Sequence, residues 1–131
     1  MKDKTIQKLI CQETARQKET LNLIASENYV SHEVREALGS VFTNKYAEGY
    51  PMLRYYTGNT VVDRLETLVK KRALTLFHLS PATWDVNVQA LSGSPANLAA
   101  YLALVPLNEK IMGMELSHGG HLTHGYKASV T

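Results

Sequence analysis

The stretch WDVNVQALSGSPANLAAYLALV, residues 84–105, decides the fold. Trp84, Val86 and Val88 alternate with Asp85, Asn87 and Gln89, the two-residue period of a strand with one face covered. Leu91-Ser92-Gly93-Ser94-Pro95 then turns the chain, and Pro95 suits the first position of a helix, where its missing N–H costs nothing. The run that follows is rich in Ala and Leu as far as Val105 and stops at Pro106. Ile111 to Met114 predicts a second strand. Strand, turn, helix, strand is the order of an α/β unit, so the predicted fold class is α/β.

The corner Ser92-Gly93-Ser94-Pro95-Ala96-Asn97 carries chemistry as well as topology. The first N–H groups of a helix point outward with positive partial charge, a geometry suited to phosphate. Gly93 lets a ligand approach the backbone, and the Ser92 and Ser94 hydroxyls add donors to anionic oxygens. A plain serine-capped helix uses the same residues, and this segment by itself leaves the two uses evenly balanced. No Gly-Lys-Ser/Thr follows, and the three-glycine dinucleotide pattern is absent.

Upstream of the corner, Asn59 is placed to cap a helix whose apolar positions Val61, Leu65, Leu68, Val69, Leu76 and Phe77 share one broad face. Lys70-Lys71-Arg72 falls inside it and reads as a solvated face. Thr43 to Asn59 shows neither helical nor strand period and predicts a long loop, a feature that inside a compact domain is usually functional. It sets Glu48 among Tyr46, Tyr50, Tyr55 and Tyr56. A carboxyl held among rings would exchange protons near neutrality, whereas one beside an aromatic mini-core in water would not. Further upstream, residues 3 to 19 place Ile6, Leu9 and Ile10 on one side of a charged helix, an arm. Leu21 to Ser26 is a short apolar run ended by Glu27-Asn28, and Ser31 caps a helix that Gly39 terminates.

Downstream, His118-Gly119-Gly120-His121-Leu122-Thr123-His124 gathers three imidazoles in one loop. Imidazole serves as acid, base, metal ligand or flat stacking partner. The spacing fits no common structural zinc site and Cys11 is the only thiol, which leaves zinc a minor reading beside imidazoles that merely decorate a glycine turn.

The 131 residues are 44% apolar and 20% charged, the composition of one globular domain or part of one. The net charge of +2 is spread along the chain, which argues against nucleic acid or an anionic membrane as partner. One cysteine excludes an intrachain disulfide. No apolar run reaches the roughly 18–20 residues that span a bilayer. Met1 to Thr20 fits neither a secretory signal nor a transit peptide, and the expected location is the cytoplasm.

Taken together, I-A-S-E-N at 24–28, A-L-G-S at 37–40, N-K-Y-A-E-G-Y-P at 44–51, R-Y-Y at 54–56, V-N-V-Q at 86–89, S-G-S-P-A-N at 92–97 and G-G-H-L-T-H-G at 119–125 resemble the serine hydroxymethyltransferase family in order and spacing. The resemblance covers about Leu21 to Tyr126, with the preceding helix similar to the family's amino-terminal arm. It implies the fold-type I, aminotransferase-like pyridoxal-phosphate fold, with residues 1–20 as arm and 21–131 as an incomplete cofactor-binding large domain. It also implies a dimeric or tetrameric homo-oligomer with shared active sites. The implied reaction converts serine and tetrahydrofolate to glycine and 5,10-methylenetetrahydrofolate, with pyridoxal 5'-phosphate as cofactor.

The resemblance assigns roles by position. Ser92, Gly93 and Ser94 are similar to the phosphate cradle, Tyr46 to a phosphate contact from the partner subunit, and His121 to the imidazole stacked on the cofactor ring, supported by His124. This stacking role replaces the zinc reading, and the resemblance implies no metal. Ser26 and Tyr56 match substrate contacts and Glu48 the proton-transfer group, with Glu48, His121 and Tyr56 as the catalytic set. Tyr55, Leu116, Gly120 and Leu122 resemble the folate pocket. Family enzymes are several times longer, and the aldimine lysine, the aspartate beside the pyridine nitrogen and the carboxylate-binding arginine have no counterpart here. The chain alone is therefore expected to lack normal activity and to expose apolar faces and unpaired strand edges. The alternative is a short, non-catalytic partner that docks on a full-length subunit. Met52 and Thr57 stand where the family usually has glycine.

Overall fold

The computed structural model describes residues 1–128, which fall into two compact units that divide between Lys45 and Tyr46. In the first, helix α1 (Lys4–Glu19) starts where Asp3 Oδ1 accepts from the Thr5 and Ile6 N–H groups, at 2.9 and 3.1 Å. Ile6, Leu9 and Ile10 on α1 are exposed. Arg16 grips Glu13 one turn back and holds its carboxyl at about 2. Asn22 to Glu27 forms a turn closed by Ile24 N–H on Asn22 Oδ1 and by Asn22 Nδ2 on Glu27 Oε2. Helix α2 (His32–Leu38) is capped by the Ser31 hydroxyl and ends at Gly39, as the sequence predicts.

The second unit opens on the tyrosine segment, and here one expectation is corrected. Residues 43–59 are not a single loop: the first unit ends with a short 3₁₀ turn, Val41–Asn44, and the second begins with a hairpin of β1 (Gly49–Tyr50) and β2 (Leu53–Arg54). The register pairs Gly49 with Arg54 and Tyr50 with Leu53, leaving Pro51-Met52 as the connection. Proline fixes the first of these at negative φ and Met52 adopts φ +67, the pattern of a type II turn whose second position normally takes glycine. Methionine thus fills a left-handed position, where a side chain costs on the order of 1–2 kcal/mol. Thr57 stays outside the left-handed region, and Gly58 beside it takes φ +79.

Helix α3 (Thr60–Leu76) follows, but Asn59 does not cap it with its side chain. At φ −97 and ψ 6, Asn59 lies outside the extended region a capping side chain needs. Its Nδ2 donates to Tyr56 O instead, and its Oδ1 is buried without a partner. Lys70 is half-buried and bonds Asp85 at 2.8 Å, so only Lys71 and Arg72 of the basic run are solvated. The Lys70 ammonium holds the Asp85 carboxyl below its ordinary range.

The strands predicted at 84–89 and 111–114 do not form among the described residues. The pleat survives at 86–89, where Val86 and Val88 are half-buried and Asn87 and Gln89 exposed. A strand also needs a neighbouring backbone, and instead Val86 N–H turns to Asp85 Oδ1 and Gln89 N–H to Asn87 Oδ1. Helix α4 (Gly93–Leu104) begins two residues before the predicted first position, with Ser92 as N-cap and Pro95 in the first turn. It ends before Pro106, as expected. Leu74 is the buried apolar side chain among the described residues. Leu65, Leu68, Val69 and Leu76 of α3, Phe77 just after it, and Leu102 and Leu104 of α4 remain exposed. No described helix is long and apolar enough to cross a membrane.

Candidate functional site

Two groups of candidate residues are assembled within the second unit. The first is the hairpin segment. The Arg54 side chain is 4% exposed, and its guanidinium uses four of its five N–H groups. Nε donates to Asp63 Oδ1 at 2.8 Å, Nη2 to Glu66 Oε2 at 2.5 Å, and Nη1 to the Ala47 and Gly49 carbonyls at 2.6 and 2.8 Å. Asp63 and Glu66, 16% and 12% exposed, lie one turn apart on α3. Glu66, then Asp63, raise the Arg54 pKa, while Arg54 and the Met52 N–H hold Asp63 below the usual carboxylate range. Gln89 Nε2 adds a bond to Gly49 O at 2.5 Å.

This clamp fixes the backbone on both sides of Glu48, whose carbonyl accepts from Tyr55 N–H at 3.3 Å. Glu48 and Tyr55 line one open cleft of about 720 Å³ with Val62, Leu65, Val69 and Val88. The Tyr46 and Tyr56 rings lie 5.8 Å apart, tilted by 38°. Three of the candidate tyrosines and the candidate carboxylate thus share one clamped segment.

The second group joins α4 to the imidazole loop. Ser92 makes no side-chain bond to its own helix, and a Cβ built on Gly93 would meet nothing within 4 Å. The corner therefore presents the N–H groups of Gly93 and Ser94 and two hydroxyls to open space. From the same helix, Asn97 Nδ2 donates to Thr123 Oγ1 at 2.8 Å, and the Tyr101 hydroxyl bonds His124 Nδ1. Thr123 is 6% exposed and touches His121 Nδ1 twice, through Oγ1 at 2.7 Å and through its N–H at 3.2 Å. The His121 and His124 rings are 5.6 Å apart, and the two line a cleft of about 250 Å³ with Met114, Leu116 and Tyr126. Gly120 is needed for close approach: a Cβ there would lie 1.9 Å from Met114 O. Leu122 is exposed.

Ser26 lies in the Asn22–Glu27 turn of the first unit. No hydrogen bond, ion pair or ring contact among the described residues links residues 47–56 to residues 92–94 or 118–124. Three or more His, Cys, Asp or Glu side chains do not converge on a metal position among the described residues. The sequence reading missed Arg54, Asp63, Glu66, Asn97, Tyr101 and Thr123. Their signals were faint ones: carboxylates three apart on a helix face, and an Asn and a Tyr four apart on the next.

These features define a class first: a mixed helix and strand segment in which a serine-bearing helix terminus is tied to an imidazole loop. The chain belongs to the serine hydroxymethyltransferase family, whose model matches residues 1–131. It is 59% identical over 127 residues to the cytosolic serine hydroxymethyltransferase of Encephalitozoon cuniculi, covering 97% of this chain and 28% of that protein. To the serine hydroxymethyltransferase of Dehalococcoides mccartyi it is 58% identical over 129 residues, covering 98% of this chain and 30% of that one. To a mitochondrial relative in Schizosaccharomyces pombe it is 53% identical over 124 residues, 95% of this chain and 25% of the relative. The chain thus spans between a quarter and a third of the length of these relatives.

Proposed function

We propose that this chain supplies the amino-terminal part of a pyridoxal-phosphate-dependent serine hydroxymethyltransferase, with the conversion of serine and tetrahydrofolate to glycine and 5,10-methylenetetrahydrofolate as its reaction. The observation that carries the proposal is the joining of the Ser92–Ser94 corner to the imidazole loop by a single helix. Two N–H groups and two hydroxyls with no helical duty are a donor set that suits a phosphate, so the residues present fit the cofactor. The cofactor, when bound, supplies the electron sink.

The chain's own residues do the rest by position and proton traffic. Ser92, Gly93 and Ser94 would hold the phosphate, Tyr46 would reach it from the partner subunit, and His121 would stack on the cofactor ring. Ser26 and Tyr56 contact the amino acid, Glu48 moves the proton, and Tyr55, Leu116, Gly120 and Leu122 hold the folate. The exposed apolar faces of α3 and α4 agree with further structure, or a second copy, covering them. The fold-type I architecture, the arm at 1–20 followed by the large domain from 21, a homo-oligomer and a cytoplasmic location complete the proposal. The cytosolic names of several relatives support that location.

The alternative, a short partner that docks on a full-length subunit, draws on the same exposed faces. Intact mass of the native product separates the two. A species several times longer that transfers the serine hydroxymethyl carbon to tetrahydrofolate supports the first, and a native species of this length bound to a longer subunit supports the second.

A further inference from the structure

We infer that Thr123, backed by Asn97, locks His121 as a neutral imidazole with its proton on Nε2, making both positioning residues for the ring. The inference deepens the proposed function and rests on it for the ring's use, though not for the lock itself. Hydrogen-bond partners assign the tautomer. The Thr123 backbone N–H points at His121 Nδ1 at 3.2 Å, and an N–H only donates, so Nδ1 accepts and carries no proton. The Thr123 hydroxyl reaches the same nitrogen at 2.7 Å. Asn97 Nδ2 occupies that hydroxyl oxygen as a donor at 2.8 Å, which turns the hydroxyl proton toward the imidazole.

Two consequences follow for a ring that lies against a cofactor. A proton on Nδ1 would face both the Thr123 N–H and its hydroxyl, so the geometry leaves Nε2 as the nitrogen that carries the ring proton. Asn97 also stands on the helix whose N-terminus carries Ser92 to Ser94, so the plane of the ring and the phosphate cradle are set by one rigid element. Thr123 is buried at 6% exposure, which keeps its hydroxyl in place, while the His121 ring stays open to the cleft.

The test is magic-angle-spinning ¹⁵N NMR of the histidine-labelled full chain, which reads tautomers whether or not the chain self-associates. His121→Gln identifies the signal by difference. The wild-type chain should show His121 in one form, Nε2–H with Nδ1 a hydrogen-bonded acceptor. Thr123→Val, which removes the hydroxyl but keeps the backbone N–H, should weaken the hydrogen bonding at Nδ1 and shift its ¹⁵N signal toward that of a free acceptor, and Thr123→Ser should restore the wild-type position. A proton on Nδ1 in the wild type, or a Thr123→Val spectrum identical to it, overturns the inference. Pyridoxal phosphate binding by an assembled protein is measured separately: its loss with the lock intact counts against the proposed function and leaves the lock standing.

Discussion

Met52→Gly should tighten the hairpin that carries Glu48 and Tyr55. Met52 sits at φ +67 in the second position of the Pro51-Met52 connection, where a side chain costs on the order of 1–2 kcal/mol. It is 87% exposed, so its removal sacrifices almost no buried surface. Its N–H, which bonds Asp63 Oδ2 at 3.2 Å, survives the change. Against the relief stands the extra freedom that glycine loses on ordering, roughly 0.5–1 kcal/mol. The net gain centres on about 0.75 kcal/mol, within a range of about 0–1.5, and at its centre slows local opening roughly three- to four-fold. The assay is hydrogen exchange of the Tyr55 amide, whose N–H bonds Glu48 O across the hairpin. Met52→Ala keeps the Cβ and should leave the rate near wild type. Faster exchange in Met52→Gly would refute the turn assignment.

Arg54→Lys replaces a four-bond fork by a point charge, and should speed Tyr55 exchange by more than Met52→Gly slows it. Because Arg54 depresses Asp63, the clamp's pH-linked contribution is fully present above the unfolded carboxyl value of about 3.9 and fades as pH falls through the lower folded one. Hairpin exchange followed down that range should show the loss in wild type and not in Asp63→Asn. Gly120→Ala should dislodge the imidazole loop, since the new Cβ would meet Met114 O, and the His121 NMR signal should broaden or split. The isolated chain should self-associate and bind a hydrophobic dye. Sedimentation as a compact monomer without dye binding would contradict the open faces of α3 and α4.

The helices were legible because each writes its own signals locally. Ser31 and Gly39 bracket α2, and the apolar period of 61–77 marks α3. The segments 84–89 and 111–114 carry strand periodicity, but a ladder requires a second backbone, which periodicity does not encode. The hairpin at 49–54 was hidden because Met52 stands where a turn would announce itself with glycine. Among site residues, the Ser92–Ser94 corner and the imidazole loop were visible as clusters. The side chains that orient them were not: Thr123 and Asn97 are 26 positions apart, and Arg54 meets Glu66 across 12. Such pairings follow from the path of the chain rather than from residue type.

The most direct measurement joins residues 1–128 of this chain to the remainder of the Encephalitozoon relative and titrates the folded, assembled chimera with pyridoxal phosphate. One equivalent bound per chain, weakened when Ser94 is changed to Ala, is the predicted result. A well-folded chimera that ignores the cofactor would contradict the account.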